Sequence, residues 1–309
     1  MADSQGMTGK PLYAGIEAGG TKCICAIGHG PQDILAQTRI LTTSPEQTVR
    51  GIMEFLSAAM PQGGALAGLG IASFGPAGVR ENAADYGCIG KTPKPGWSGV
   101  RLRDAFLALG APVAFDTDVN GAGIGEALFG AGRGVGTFAY VTVGTGIGVG
   151  IMHGGRPRLG CSHYEMGHIY PPRGPGPDIF AGTCPFHGDC LEGLASGPAI
   201  MARWGDKLED LSKDHPAFAL EAHYLAHLCV TLVQCHAAER IILGGGVMHA
   251  PGLMQLVREK TQALLGEYPG PASGCTNLDG YIVKPELGDQ AGITGALAMA
   301  VNVAKAQTL

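Results

Sequence analysis

The chain lacks any block of one charge. Its 309 residues carry 21 Lys and Arg against 26 Asp and Glu, a formal net charge of −5, with no basic cluster. This excludes the electrostatic footprint of a nucleic-acid or anionic-membrane binder, and a small-molecule ligand is expected instead. Long uninterrupted apolar runs are missing as well. The longest apolar segments, near Thr137 to Met152 and Ala291 to Ala304, are too short or too rich in glycine to span a bilayer and read as core elements. The opening MADSQGMTGK has no basic stretch followed by an apolar one, so no signal peptide and a cytoplasmic location are expected.

A disulfide framework is also absent from the pattern, because nine cysteines is an odd number and they are scattered. Cys23, Cys25, Cys88, Cys161, Cys229, Cys235 and Cys275 stand singly or on apolar runs and are expected to be plain buried thiols. Cys184 and Cys190 differ, for reasons given below.

What the chain has in abundance is glycine, 52 residues in clusters between apolar runs. Clusters of that kind mark loops where backbone approaches a ligand closely. PLYAGIEAGGTKCICAIG reads as strand, Gly-rich turn and strand. SPEQTVRGIMEFLSAAM reads as a helix capped by Ser44 with Pro45 in its first turn. A buried strand follows from Leu66 to Ala72 and ends in a Gly-Pro-Ala-Gly loop. A second, Val113 to Phe115, delivers Asp116 and Asp118 at its C-terminal end, with a helix expected from Asn120 to Leu128. TFAYVTVGTGIGVGIMHGG then repeats the first pattern, and the echo of Gly20-Thr21 in Gly144-Thr145-Gly146 suggests two related halves. ERIILGGGVMH is a strand running into three glycines at a helix start, and GDQAGITGALAMAVNVA is a terminal apolar helix. Alternating strands and helices place the chain in the α/β class. The boundary between halves is expected near Asp116 to Asn120.

Gly19-Gly20-Thr21-Lys22 and Gly144-Thr145-Gly146 are turns whose backbone N–H groups and Thr hydroxyl suit phosphate oxygens. Neither has the Walker A spacing, and Gly244-Gly245-Gly246 does not fit the dinucleotide fingerprint. Any one of them alone is equally a hairpin without a ligand. Asp118, two residues before Asn120, suits a carboxylate that takes a hydroxyl proton during phosphoryl transfer with Mg²⁺ on the nucleotide; alone, it reads more readily as a helix N-cap. Glu165, His168 and Glu192 add polar groups of the kind a hydroxyl-rich ligand requires. His168, Cys184, His187 and Cys190 form a Cys₂His₂ set, the last three at three-residue intervals. Two thiolates and two imidazoles suit tetrahedral Zn²⁺, and four protein ligands favour a structural ion. The spacing is not that of nucleic-acid-binding fingers. Pro175, Gly176 and Pro177 oppose a regular element in the intervening loop, which a metal would order.

The motifs GIEAGGTK, GIASFGPAG, TPKPGW, DTDVNGA, YVTVGTGIGVG, EMGH, CPFHGDCLEGLASGPAI, LGGGVMH and GDQAGITGAL occur in this order over nearly the whole chain. Together they resemble the bacterial fructokinase branch of the ROK family (repressors, open reading frames and kinases), among the actin-like sugar kinases. The resemblance implies an α/β fold of two actin-like (ribonuclease H-like) domains around a central cleft. The smaller would be residues 1–117 completed by a C-terminal helix at about 290–309. The larger would be 118–289 with a zinc-binding loop at 168–190. It implies Asp118 as catalytic base. It implies a first phosphate loop at Gly19, Gly20, Thr21 and Lys22, and a second at Gly144, Thr145 and Gly146. An adenosine-side loop would be Gly244, Gly245, Gly246 and Val247, with Pro198 bordering the nucleotide. Gly78, Asn120, Glu165, His168 and Glu192 match sugar-contacting positions, and His168, Cys184, His187 and Cys190 the zinc set, with His187 in place of the more usual second cysteine. ATP, Mg²⁺ and structural Zn²⁺ are the implied cofactors, fructose the substrate, phosphorylated at its 6-hydroxyl, and a homodimer the assembly, with no nucleic-acid or membrane partner.

Glu17 stands where many members carry Asp, and Thr117 stands where glucokinases carry Asn, both in keeping with the fructokinase branch. Tyr164 stands where relatives carry Pro and adds a ring beside the sugar site. The same scaffold serves kinases of mannose, glucose and N-acetylhexosamines, so a broader hexose range is the nearest alternative. Sugar-sensing repressors of the family carry a DNA-binding segment before the first glycine loop, which here begins within the first twenty residues. A non-catalytic zinc module leaves the two Gly-Thr loops and Asp118 unexplained.

Overall fold

A computed structural model describes residues 10–174, 178–267 and 278–307; Cys275 and the Pro175-Gly176-Pro177 stretch lie outside them. The chain divides into two compact units, Met1–Ala122 with Gly292–Leu309, and Gly123–Ala291.

The first unit is built on strands β1 (Leu12–Ala18), β2 (Lys22–Gly30), β3 (Asp33–Leu41), β4 (Leu66–Ser73) and β5 (Val113–Thr117), with helix α1 (Pro45–Ala59) after β3. The sheet order is β3-β2-β1-β4-β5. The hairpins are antiparallel, and β1–β4 and β4–β5 are parallel. α1 starts where its cap dictates, with the Ser44 hydroxyl accepting the Gln47 N–H at 3.3 Å and Pro45 in the first turn. Ile52 and Leu56 on its inner face are fully buried.

Helix α2 (Asp118–Phe129) leads into the second unit, whose strands are β6 (Thr137–Val143), β7 (Ile147–His153), β8 (Arg156–Pro157), β9 (Arg240–Gly244) and β10 (Ile282–Val283). Its helices are α3 (Leu191–Ala195), α4 (Gly197–Trp204), α5 (Pro216–His236) and α6 (Leu253–Leu265). The sheet order is β10-β9-β6-β7-β8; read from β8, it again has two antiparallel pairings followed by two parallel ones. Strand for strand this repeats the first sheet, so the echo between the glycine turns reflects a repeated topology. α5, 21 residues long, is long and apolar enough to cross a membrane by length and composition, but most of it is buried in this unit's core.

The terminal helix α7 (Ala291–Ala306) belongs to the first unit, where Ile293, Ala296, Leu297 and Ala300 pack on Tyr13, Ile24, Ala26 and Ala72. It lies close enough to β4 that a Cβ on Gly68 would overlap the carbonyl of Ala300, and one on Gly70 that of Ala296. Gly70→Ala is therefore expected to destabilise the protein by about 3 kcal/mol, read as a lower urea midpoint at unchanged slope, since backbone on both sides leaves no room to yield.

Several expectations need correction. α2 begins at Asp118, two residues earlier than expected, because the Thr117 hydroxyl accepts the Asn120 N–H at 3.2 Å and takes the capping position. The three glycines carry the chain from the last residue of β9 into a short 3₁₀ turn, Gly246–His249, and the α-helix waits until Leu253. Of the cysteines expected to be buried, Cys23, Cys25 and Cys229 are, Cys88 is half-buried, and Cys161 and Cys235 are exposed. Cys161 sits in an irregular loop and Cys235 on the outer face at the end of α5, where nearby apolar residues do not dictate burial.

Candidate functional site

In the first unit the β1–β2 turn carries Gly19 to Lys22. The Gly19 N–H donates to the Lys22 carbonyl at 3.0 Å, and a Cβ on Gly19 would sit 2.8 Å from that oxygen. Thr21 is exposed, and a Cβ on Gly20 would meet nothing within 4 Å, so the tip is open to a ligand. The turn is braced from behind. The Thr42 hydroxyl donates to the Gly19 carbonyl at 2.8 Å, and the Thr42 N–H to that of Thr21 at 2.9 Å. Lys94 Nζ donates to the Thr42 carbonyl at 3.1 Å and Trp97 Nε1 to that of Thr43 at 2.8 Å. Trp97 is wholly buried, so TPKPGW acts as the buttress of the first glycine turn.

Asp118 occupies the first turn of α2, where the helix dipole favours a negative charge. Its Oδ1 accepts the Val119 N–H at 2.8 Å. Asn120 is buried, and its Nδ2 donates to Asp116 Oδ1 at 2.6 Å, so its side chain serves Asp116. Asp116 Oδ1 also accepts the Thr117 N–H at 2.7 Å, locking the end of β5 against the start of α2. Gly78 exchanges backbone hydrogen bonds with Cys88 and Gly87, at 2.9 and 2.8 Å, and a Cβ there would overlap the Asp85 carbonyl, which alone requires glycine.

In the second unit the β6–β7 turn is clamped at both ends. The Gly144 N–H donates to the Gly146 carbonyl at 2.9 Å, the Gly197 N–H to the Gly144 carbonyl at 2.8 Å, and the Ile147 N–H to Glu192 Oε2 at 2.9 Å. Beside this turn opens a cavity of about 540 Å³. Gly144, Thr145, Pro198, Gly246 and Val247 line it, with apolar walls from Ile200 and Leu208 and polar side chains from Lys207, Glu209 and His249. Gly244 and Gly245 do not line it. Gly245 has φ 94°, and a Cβ there would run into the Val143 backbone, while one on Gly244 would meet Pro285.

The four candidate metal ligands converge. The donor atoms of His168, Cys184, His187 and Cys190 all lie within 4.8 Å of one another. His168 Nδ1 is 3.3 Å from Cys190 Sγ and 3.9 Å from Cys184 Sγ, and His187 Nδ1 is 3.6 Å from Cys184 Sγ. Tetrahedral bonds of about 2.3 Å to sulfur and about 2.0 Å to nitrogen put neighbouring S and N ligands roughly 3.5 Å apart, so these three Cys–His separations are of the size a Zn²⁺ ion needs. Paired backbone bonds between Cys184 and Gly188 fold this loop back on itself. Burial pushes the Cys190 thiol up to about 11, with Cys184 and Glu192 adding to the shift against a backbone bond at Gly193, a cost that a bound cation would reverse.

Glu165 lies beside this set, 3.5 Å from His163 Nε2. Desolvation holds its carboxyl above the ordinary range; His163 and His168 oppose the shift and Glu192 adds to it. The Tyr164 ring packs edge-on against His236 at 5.1 Å.

Two groups escaped the sequence reading. Glu126 is fully buried on α2 and accepts the N–H groups of Ala131, Glu286 and Leu287 at 2.7, 3.2 and 2.9 Å, tying distant loops together. Its only sequence signal is an acid inside an apolar helix. Asp178 accepts from Tyr224 at 2.7 Å, Arg203 at 2.8 Å and the Phe180 N–H at 3.2 Å, joining the loop that carries the Cys/His set to α4 and α5. Burial raises its carboxyl, but these bonds outweigh burial and hold it at about 2. A carboxyl lowered by folding stabilises the protein above its unfolded value near pH 4 and loses that contribution as pH falls toward 2. Asp178→Asn should therefore lose about 1–2 kcal/mol at pH 6, after allowance for screening, and lose less near pH 3, as read by urea midpoints at the two pH values.

Both sheets, both glycine turns and the Cys/His set now identify the class of protein. The ROK family model matches residues 13–303, and the chain belongs to that family. It is 44% identical over 296 residues to a fructokinase from Zymomonas mobilis subsp. mobilis, covering 94% of this chain and 97% of the relative. With a fructokinase from Pediococcus pentosaceus it shares 38% identity over 293 residues, 94% of this chain and 97% of the other. Among solved structures it is similar to a ROK hexokinase from Thermus thermophilus, with a TM-score of 0.75 and 26% identity over 96% of this chain and 99% of that one.

Proposed function

We propose that the chain is an ATP-dependent fructokinase that converts D-fructose to fructose 6-phosphate. The observation that carries this reading is 44% identity with the Zymomonas fructokinase along 97% of that protein's length. The cavity beside Gly144 and Thr145 supports a nucleotide at this site, since the glycine turn with its Thr145 hydroxyl suits phosphates and the apolar walls suit a flat base.

In the proposed reaction, the Asp118 carboxylate takes the proton of the sugar's 6-hydroxyl. The O6–phosphorus bond forms as the bond from phosphorus to the β-phosphate oxygen breaks, and ADP leaves. Mg²⁺ carried on the nucleotide would neutralise phosphate charge. The turns Gly19 to Lys22 and Gly144 to Gly146 face the phosphates, with the Thr21 and Thr145 hydroxyls and the Lys22 ammonium as side-chain donors. Glu165, His168 and Glu192 receive sugar hydroxyls, and Asn120 acts by holding Asp116 and the end of β5 next to Asp118. His168, Cys184, His187 and Cys190 would hold Zn²⁺, whose chemistry is structural: it keeps two thiolates ionised and closes the loop, with no open position for substrate.

The same reading takes the repeated sheets as two actin-like units and the enzyme as a cytoplasmic homodimer, which sedimentation would report at twice the chain's 31.6 kDa. A broader hexose range is the second reading, favoured by the likeness to the Thermus hexokinase. The product separates the regiochemistry: ³¹P-coupled ¹³C NMR should show phosphate on C6 of fructose, and phosphate on C1 would overturn the assignment.

A further inference from the structure

The Cys/His set and the β6–β7 turn are joined by one short stretch of chain, Cys190 to Gly197. Cys190 is the N-cap of α3, and Glu192 stands in that helix's first turn. The helix is pinned on its far side, where the Leu191 N–H donates to the Ile169 carbonyl at 2.8 Å and the Thr183 N–H to that of Gly193 at 2.9 Å. From this fixed base Glu192 Oε2 accepts the Ile147 N–H at 2.9 Å. A Cβ on Gly146 would stand 2.6 Å from the same oxygen, so the glycine turn is shaped around the carboxylate. Five residues on, Gly197 holds the other end of the turn through the Gly144 carbonyl at 2.8 Å. Anchored at Cys190, the stretch grips the turn at two points.

We infer that Glu192 is a positioning residue for the nucleotide: it sets the shape of the Gly144–Gly146 turn and makes that shape depend on the integrity of the Cys/His set. The inference rests on the kinase reading and gives Glu192 a second task besides facing the sugar. Chemistry supports it. A negative charge behind a polyphosphate loop opposes binding unless its hydrogen bond is worth more than the repulsion, and a charge-assisted bond to a backbone N–H meets that condition. What the turn needs is an acceptor, and an amide oxygen supplies one without the charge.

The test is titration calorimetry of AMP-PNP with Mg²⁺ in the absence of sugar, on wild type, Glu192→Ala, Glu192→Gln and Cys190→Ser, each checked for an intact melting transition. Glu192→Ala should weaken nucleotide binding about tenfold, equivalent to about 1.4 kcal/mol. Glu192→Gln should stay within about threefold of wild type, because its amide oxygen still accepts the Ile147 N–H. Cys190→Ser, which touches no nucleotide, should shift binding in the same direction as Glu192→Ala, and metal depletion of the wild type should do likewise. If Glu192→Ala leaves nucleotide affinity within twofold while only the KM for fructose rises, Glu192 is a sugar ligand alone and the inference is overturned. A wild type that binds no nucleotide overturns the kinase reading and this inference together, so the two failures are told apart by the wild-type titration.

Discussion

Asp118→Asn is expected to lower kcat with fructose and MgATP by about 10²–10⁴-fold while changing the KM values for either substrate by less than about threefold. The reason lies in what the substitution keeps. Thr117 caps α2 and the Asn120 amide holds Asp116, so neither the helix start nor the end of β5 depends on the Asp118 charge. An Asn side-chain oxygen still accepts the Val119 N–H that Asp118 Oδ1 accepts now at 2.8 Å. What is lost is the group that takes the hydroxyl proton. Steady-state kinetics with a thermal melt reads both halves, and near-normal turnover would show that the base lies elsewhere.

The second large effect is expected at the Cys/His set. Cys184→Ser removes one of four converging donors and leaves the others, with Cys190 fully buried, around an incomplete site. Structural zinc contributes folding free energy outright, so the variant should lose its metal, about one equivalent per chain in the wild type, and melt at least about 5 °C lower. Metal content by mass spectrometry and calorimetric melting check this. A wild type that purifies without a transition metal and gains no stability from added Zn²⁺ would contradict the assignment. Slow loss of activity with a chelator, not reversed by Mg²⁺ alone, separates this ion from the one carried by the nucleotide.

Much of the architecture is legible in the sequence because its local signals are strong. Ser44-Pro45 announces α1. The two Gly-Thr turns announce β-hairpins, since each is a short glycine-containing break between two apolar runs that read as strands. The Cys/His convergence is legible because ligand chemistry and spacing constrain it. What escapes depends on contacts far apart in sequence. α5 carries few charged residues to mark its outer face, and more than half of it is buried. Glu126 meets Leu287, 161 residues away. Glu192 reads as a sugar ligand from its neighbours, and only the folded chain brings it to Ile147, 45 residues earlier. The start of α2 is missed for a local reason, since Thr117 and Asp118 are equally good capping residues by type and the hydrogen bond to Asn120 decides between them.

The most direct test of the central claim is a coupled ADP-release assay with MgATP across fructose, mannose, glucose and their N-acetyl amino counterparts. The account predicts that kcat/KM is highest for fructose, by at least about tenfold over the next hexose. Equal or greater efficiency with glucose or mannose would make the enzyme a general hexose kinase, and no fructose-dependent ADP release would contradict the account outright.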